Sequence, residues 1–143
     1  MRTKNGGISW TEVFRTDPSN CTGTCRIWKM FFLSDEVGYA TIEDFIGSPY
    51  IIKTTDGGLT WTLIEVNAPD LTLHVALQAV GFVNEDIGWA GGHQYGMYGT
   101  VDGGQNWTNL PIGTNLNRFV RLNNGLLFGS GTEVYRYSDA DAV

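Results

Sequence analysis

Two short stretches hold most of the side chains in this 143-residue sequence that could do chemistry. Gly91-Gly92-His93-Gln94-Tyr95-Gly96 places an imidazole, an amide and a phenol in a glycine-rich loop, a mix of donors and acceptors suited to ligand recognition. Glu43-Asp44-Phe45 sets two carboxylates beside an aromatic face, and Glu85-Asp86 supplies a second acidic pair. Glycoside hydrolysis needs two carboxyls about 5–10 Å apart across the scissile bond; both pairs are available, but Glu85 and Asp86 belong to a strand-joining turn on the wrong face. His74 and Arg118 lie near the starts of apolar runs and complete the candidate ligand- or partner-binding set. No nucleophilic serine or cysteine constellation and no phosphate cradle accompanies them, so catalysis is not expected and no cofactor is called for. Cys21 and Cys25 are too few for a zinc site, since neither His74 nor His93 is near them in sequence. They read as loop thiols, with a disulfide clip as the alternative.

These residues must be positioned by strands. Ile27-Trp28-Lys29-Met30-Phe31-Phe32-Leu33 leads through Ser34-Asp35-Glu36-Val37-Gly38 into Tyr39-Ala40-Thr41-Ile42. The phrase returns as Leu77-Gln78-Ala79-Val80-Gly81-Phe82-Val83, then Asn84-Glu85-Asp86-Ile87-Gly88 and Trp89-Ala90, shifted by about 50 residues. A weaker copy runs from Phe119 to Gly129. Each copy reads as strand, acidic or amide turn, strand. The near-continuous apolar character of the first strand predicts an inner strand buried on both faces. No helical period of useful length appears, so the chain reads as all-β.

A second recurring phrase joins the outer strands. Thr54-Thr55-Asp56-Gly57-Gly58-Leu59-Thr60-Trp61 comes back as Thr100-Val101-Asp102-Gly103-Gly104-Gln105-Asn106-Trp107, and in altered form as Thr3-Lys4-Asn5-Gly6-Gly7-Ile8-Ser9-Trp10. Paired glycines can take the positive φ of a tight turn. The Asp56 and Asp102 carboxylates, or the Asn5 amide, can accept backbone N–H groups within it. Trp61 and Trp107 are expected to fold under the turn as buried plugs, with Trp10 in the corresponding place. Asn5, Trp10, Asp56, Gly58, Trp61, Asp102, Gly104 and Trp107 are therefore assigned to structure.

The phrase resembles the Asp-box, or BNR repeat, of pattern Ser/Thr-x-Asp-x-Gly-x-Thr-Trp. The middle copy matches throughout, the last departs at Asn106 and the first at Asn5. The resemblance extends over nearly the whole chain and is greatest to the photosystem II assembly factor and its bacterial relatives. It implies β-propeller blades of four antiparallel strands, with the box joining the outer two. It also implies that function lies on the opposite face, in the connections 15–25, 67–74 and 111–117 and in 43–49, 91–96 and 129–132. In sialidases, which share the box, an Arg-Ile-Pro motif precedes the repeats; Arg26-Ile27-Trp28 keeps only its first two residues.

A single domain spanning 1–143 follows, with an outer strand at 8–14, blades at 26–66 and 75–110, and three strands of a last blade at 118–137. A formal net charge of −6, with nine Lys+Arg, argues against nucleic acid as a partner. No apolar run approaches the roughly 20 residues of a membrane span, and the first residues lack the apolar core of a signal peptide. Propellers have about 4–8 blades, and three do not close. The outer strand 8–14 would complete the last blade of a second copy, giving a six-bladed ring by homodimerisation; the competing reading is a piece of a larger propeller that needs a different partner chain. The expected activity is that of a non-catalytic binding or assembly module for a protein or glycan, with a carbohydrate-binding or sialidase-like glycosidase propeller as the alternative.

Overall fold

The computed structural model describes residues 1–17, 25–44, 48–67, 76–93 and 96–138. Strands β1 (Arg26–Phe32), β2 (Gly38–Glu43), β3 (Tyr50–Thr54) and β4 (Thr62–Glu65) pair in chain order as one antiparallel sheet. A second sheet follows the same plan with β5 (Leu77–Phe82), β6 (Gly88–Gly92), β7 (Met97–Thr100) and β8 (Thr108–Leu110). The third holds β9 (Arg118–Arg121), β10 (Leu127–Ser130) and β11 (Val134–Tyr137). The architecture is all-β and propeller-like.

The repeats in sequence become repeats in register. Phe32 faces Gly38 across the β1–β2 ladder as Phe82 faces Gly88 across β5–β6, and each ladder carries an irregularity near the start of its first strand. The turns between them close in one way: the N–H groups of Leu33, Val83 and Leu122 donate to the carbonyls of Val37, Ile87 and Leu126. Ser34 and Asn84 cap those turns by accepting the N–H groups of Val37 and Ile87, the local bonding that favours these residue types in turns.

The sheets stack face to face around β5, which lies between β1–β2 and β9. Side chains alternate across a strand, so one side of the first sheet sends Phe31, Tyr39 and Ile51 into the core. Tyr39 stacks on Phe82 with ring centroids 3.8 Å apart and planes 7° apart, and Trp107 meets Phe82 edge-on at 6.5 Å. On the other side of β5, a Cβ at Gly81 would stand 2.5 Å from Phe119. The missing side chain lets the third sheet approach.

Two sequence expectations differ from the fold. The first inner strand is not buried on both faces: in β1 only Phe31 is buried, whereas β5 is buried at nearly every residue. The strands are similarly apolar, but β5 has a sheet on each side and β1 has one. Trp107 is buried, yet Trp61 is only half-buried and Trp10 is exposed, because among the described residues no sheet covers their outer sides. Residues 8–14 form no ladder but a single bridge between Arg2 and Thr11, since a lone pair of strands is marginal in water. Phe14 instead packs against Ala40, Ile42 and Ile52 on the outer face of the first sheet.

Candidate functional site

Three ladder ends bring the strand termini opposite the boxes to one end of the stack: Arg26 with Glu43, Leu77 with Gly92, and Arg118 with Ser130. Glu43 is 3% and Asp44 1% exposed. Glu43 accepts a 2.8 Å hydrogen bond from Gln78 Nε2, which ties the first sheet to the second. His93 is exposed and its N–H donates to the Ala76 carbonyl; Arg118 is exposed at the start of β9. Of the candidate set, Glu43, Asp44, His93 and Arg118 thus gather at one end. Phe45, His74, Gln94 and Tyr95 lie outside the described residues, as does Cys21. Gln78 was not singled out from sequence; its signal is a polar residue inside an otherwise apolar inner strand.

The other acidic pair lies elsewhere. Glu85 and Asp86 occupy the β5–β6 turn, where the Asp86 carbonyl accepts the Gly103 N–H of the box. Glu43 ends β2 at the far end of its sheet, and a strand of five or six residues is about 17–20 Å long. The two pairs are therefore too far apart to flank one scissile bond. Among the described residues, no three of His, Cys, Asp and Glu come together as metal ligands. Cys25 is disulfide-bonded and is not a free thiol.

The boxes share one wiring. Thr54 Oγ1 donates to Asp56 Oδ1 at 2.8 Å and accepts the Gly58 N–H at 2.9 Å. Asp56 accepts the Leu59 and Thr60 N–H groups and the Thr60 hydroxyl. Asp102 does the same with the Asn106 N–H and side-chain amide, and Asn5 with the Ser9 N–H. The indole N–H of Trp10, Trp61 or Trp107 returns to the carbonyl of Gly7, Gly58 or Gly104. Each turn depends on two successive glycines at positive φ, 68° and 83° at Gly57 and Gly58, 74° and 94° at Gly103 and Gly104. Bonds from the Thr60 N–H and hydroxyl hold Asp56 down to about 2, and those from Asn106 do the same for Asp102. Such carboxylates are poor bases.

A cavity of about 250 Å³ lies against the outer face of the first sheet, with Met30, Phe32, Ile52 and Trp61 on the sheet side and Val13 and Phe14 opposite. Another, of about 180 Å³, separates the second and third sheets between Trp89, Met97, Phe119 and Tyr135.

Residues 27–120 match the family described as photosynthesis system II assembly factor YCF48. Among solved structures the chain is similar to one described as YCF48 bound to D1 peptide, at 24% identity and a TM-score of 0.59. The similarity covers 84% of this chain and 40% of that one, and at this identity it is a likeness of fold. No curated protein matches.

Proposed function

The chain belongs to the photosynthesis system II assembly factor YCF48 family, and from that premise we propose that it is a non-catalytic assembly module that binds a protein partner through the end of the sheets opposite the boxes. The observation that carries this reading is the convergence of Glu43, Asp44, Gln78, His93 and Arg118 at that end, from three separate sheets. The relative of known structure is described with a D1 peptide bound, and an extended peptide is the class of ligand we assign here. Exposed His93 and Arg118 offer donors to its backbone and to acidic side chains, while the buried Glu43–Gln78 bond stiffens the floor beneath. The wired boxes hold the strand ends in register and take no part in binding. On the same reading the three sheets are half of a six-bladed ring that a second copy closes.

Titration calorimetry with a D1 peptide tests the binding face. Saturable binding is expected, and replacing His93, Gln94 and Tyr95 together by alanine should weaken it at least tenfold, about 1.4 kcal/mol, with the melting temperature unchanged. Undiminished binding by the triple variant places the peptide elsewhere, and an unfolded triple variant makes the loop structural.

A further inference from the structure

The contact between the first two sheets has two unlike sides. The first sheet presents a ladder pair of aromatic and cation, Tyr39 opposite Lys53, with Lys53 Nζ 5.4 Å from the centre of the Tyr39 ring. The second sheet receives it with Phe82, which rides over Gly88 and is braced edge-on by Trp107. The acidic turn Glu85-Asp86 follows Phe82 and joins β5 to β6. A Cβ at Gly103 in the adjoining box would lie 3.0 Å from the Glu85 carbonyl and 4.0 Å from Lys53 Nζ. Burial first, and then the charges of Glu85 and Asp86, push the Tyr39 phenol up to about 12.

The receiving set recurs, uncovered, on the outer face of the first sheet. Phe32 rides over Gly38, and Trp61 braces it edge-on at 6.2 Å and 86°, against 6.5 Å and 83° for the covered pair. The acidic turn is Asp35-Glu36, and the Glu36 carbonyl accepts the Gly57 N–H at 2.9 Å as Asp86 accepts that of Gly103. Phe14 covers only the part of this face around Ala40, Ile42 and Ile52, leaving Phe32 42% and Met30 60% exposed. The plug recurs on the far side of the third sheet. There Phe128 and Arg136 form a β10–β11 ladder pair, as Tyr39 and Lys53 do on β2–β3, on the face opposite Leu127 and Gly129. The second sheet, by contrast, presents Trp89 with Gly99, and Tyr137 of the third meets that indole.

We propose that the outer face of the first sheet is a socket for the third sheet of a second copy of this chain, in which Phe128 stacks on Phe32 and Arg136 faces Asp35 and Glu36. This rests on the reading of the three sheets as half of a ring. An unlike-sided contact closes only if the rotation it imposes closes, and here two copies use plug and socket twice. An aromatic stack beside a matched charge also selects this pairing over contact between two sockets, which would bring two acidic turns together.

Light scattering on the full chain at micromolar concentration, with circular dichroism as a folding control, tests the proposal. The wild type is expected to have twice the mass of one chain. Arg136→Glu and Glu36→Arg should each weaken association at least tenfold while leaving the strands intact, and the two together should restore it; Phe128→Ala should weaken it in either background. A dimer of equal strength in every variant overturns the assigned interface and leaves the ring reading standing. A wild type that stays at the mass of one chain overturns both.

Discussion

At the scale of single residues, Asp56 and Asp102 do work that Asn5 shows an amide can do in part. All three hold the same turn, but Asn5 accepts only the Ser9 N–H and the Thr3 hydroxyl through its oxygen, whereas Asp56 has both carboxylate oxygens engaged. Charge-assisted bonds are the stronger kind, and they lower the proton affinity of the group that accepts them. Folded values of about 2, below the free value of 3.8, mean that the carboxylates stabilise the fold at every pH above that free value. The contribution is lost as pH falls from about 4 toward 2. Asp56→Asn combined with Asp102→Asn is therefore expected to fold, to melt lower than the wild type at pH 7, and to approach it as the pH drops through that window. Thermal melts between pH 7 and pH 2 check this; parallel curves would remove the carboxylates as the source of acid sensitivity. The wiring was legible in the sequence because its donors and acceptors lie within four residues of one another. The burial of each tryptophan was not, since identical turns leave Trp107 covered and Trp61 half-open according to what stands beside the sheet.

At the scale of elements, the pairing of each strand with its neighbours could be read from the acidic turns and boxes, whereas the surroundings of a strand could not. β1 and β5 carry the same apolar phrase and differ in exposure, because stacking is decided by segments distant in sequence. A pair of glycines makes the difference measurable. A Cβ at Gly88 would stand 2.4 Å from the Phe82 ring, and one at Gly38 would stand 2.6 Å from the Phe32 ring. Phe82 is held between Tyr39 and Trp107 and has nowhere to move, while Phe32 can swing outward. Gly88→Ala is expected to destabilise by about 1–3 kcal/mol, the range for overpacking a filled core, and Gly38→Ala by clearly less. Urea denaturation of both variants under conditions that keep the chains single decides it. Equal losses would mean that Phe32 is as confined as Phe82, and that the outer face is not open.

At the scale of the molecule, much of the candidate site was legible as residue types, and its assembly was not. Glu43 and His93 stood out in the sequence, but that Gln78 reaches across to Glu43 follows from the stacking of two sheets. The same stacking governs residues 1–14. Within one chain they hold a box and one bridge, and only Phe14 packs firmly, against the first sheet. Among the described residues, β11 pairs with β10 alone, so its other edge offers unpaired N–H and C=O groups. If a second copy seats its third sheet on the outer face of the first, residues 8–14 run past that edge and can pair with it. A segment that is marginal alone then becomes an outer strand. Deleting residues 1–14 should remove this edge pairing and the Phe14 contact together, so that association is lost while far-ultraviolet dichroism stays strand-like and binding of an apolar dye rises. In the wild type, amides of residues 8–14 should gain protection from hydrogen exchange as concentration increases. Deletion that leaves the dimer as strong as before, or exchange at 8–14 that ignores concentration, would show that the segment belongs to its own chain and that ring closure, where it occurs, does not use strand exchange.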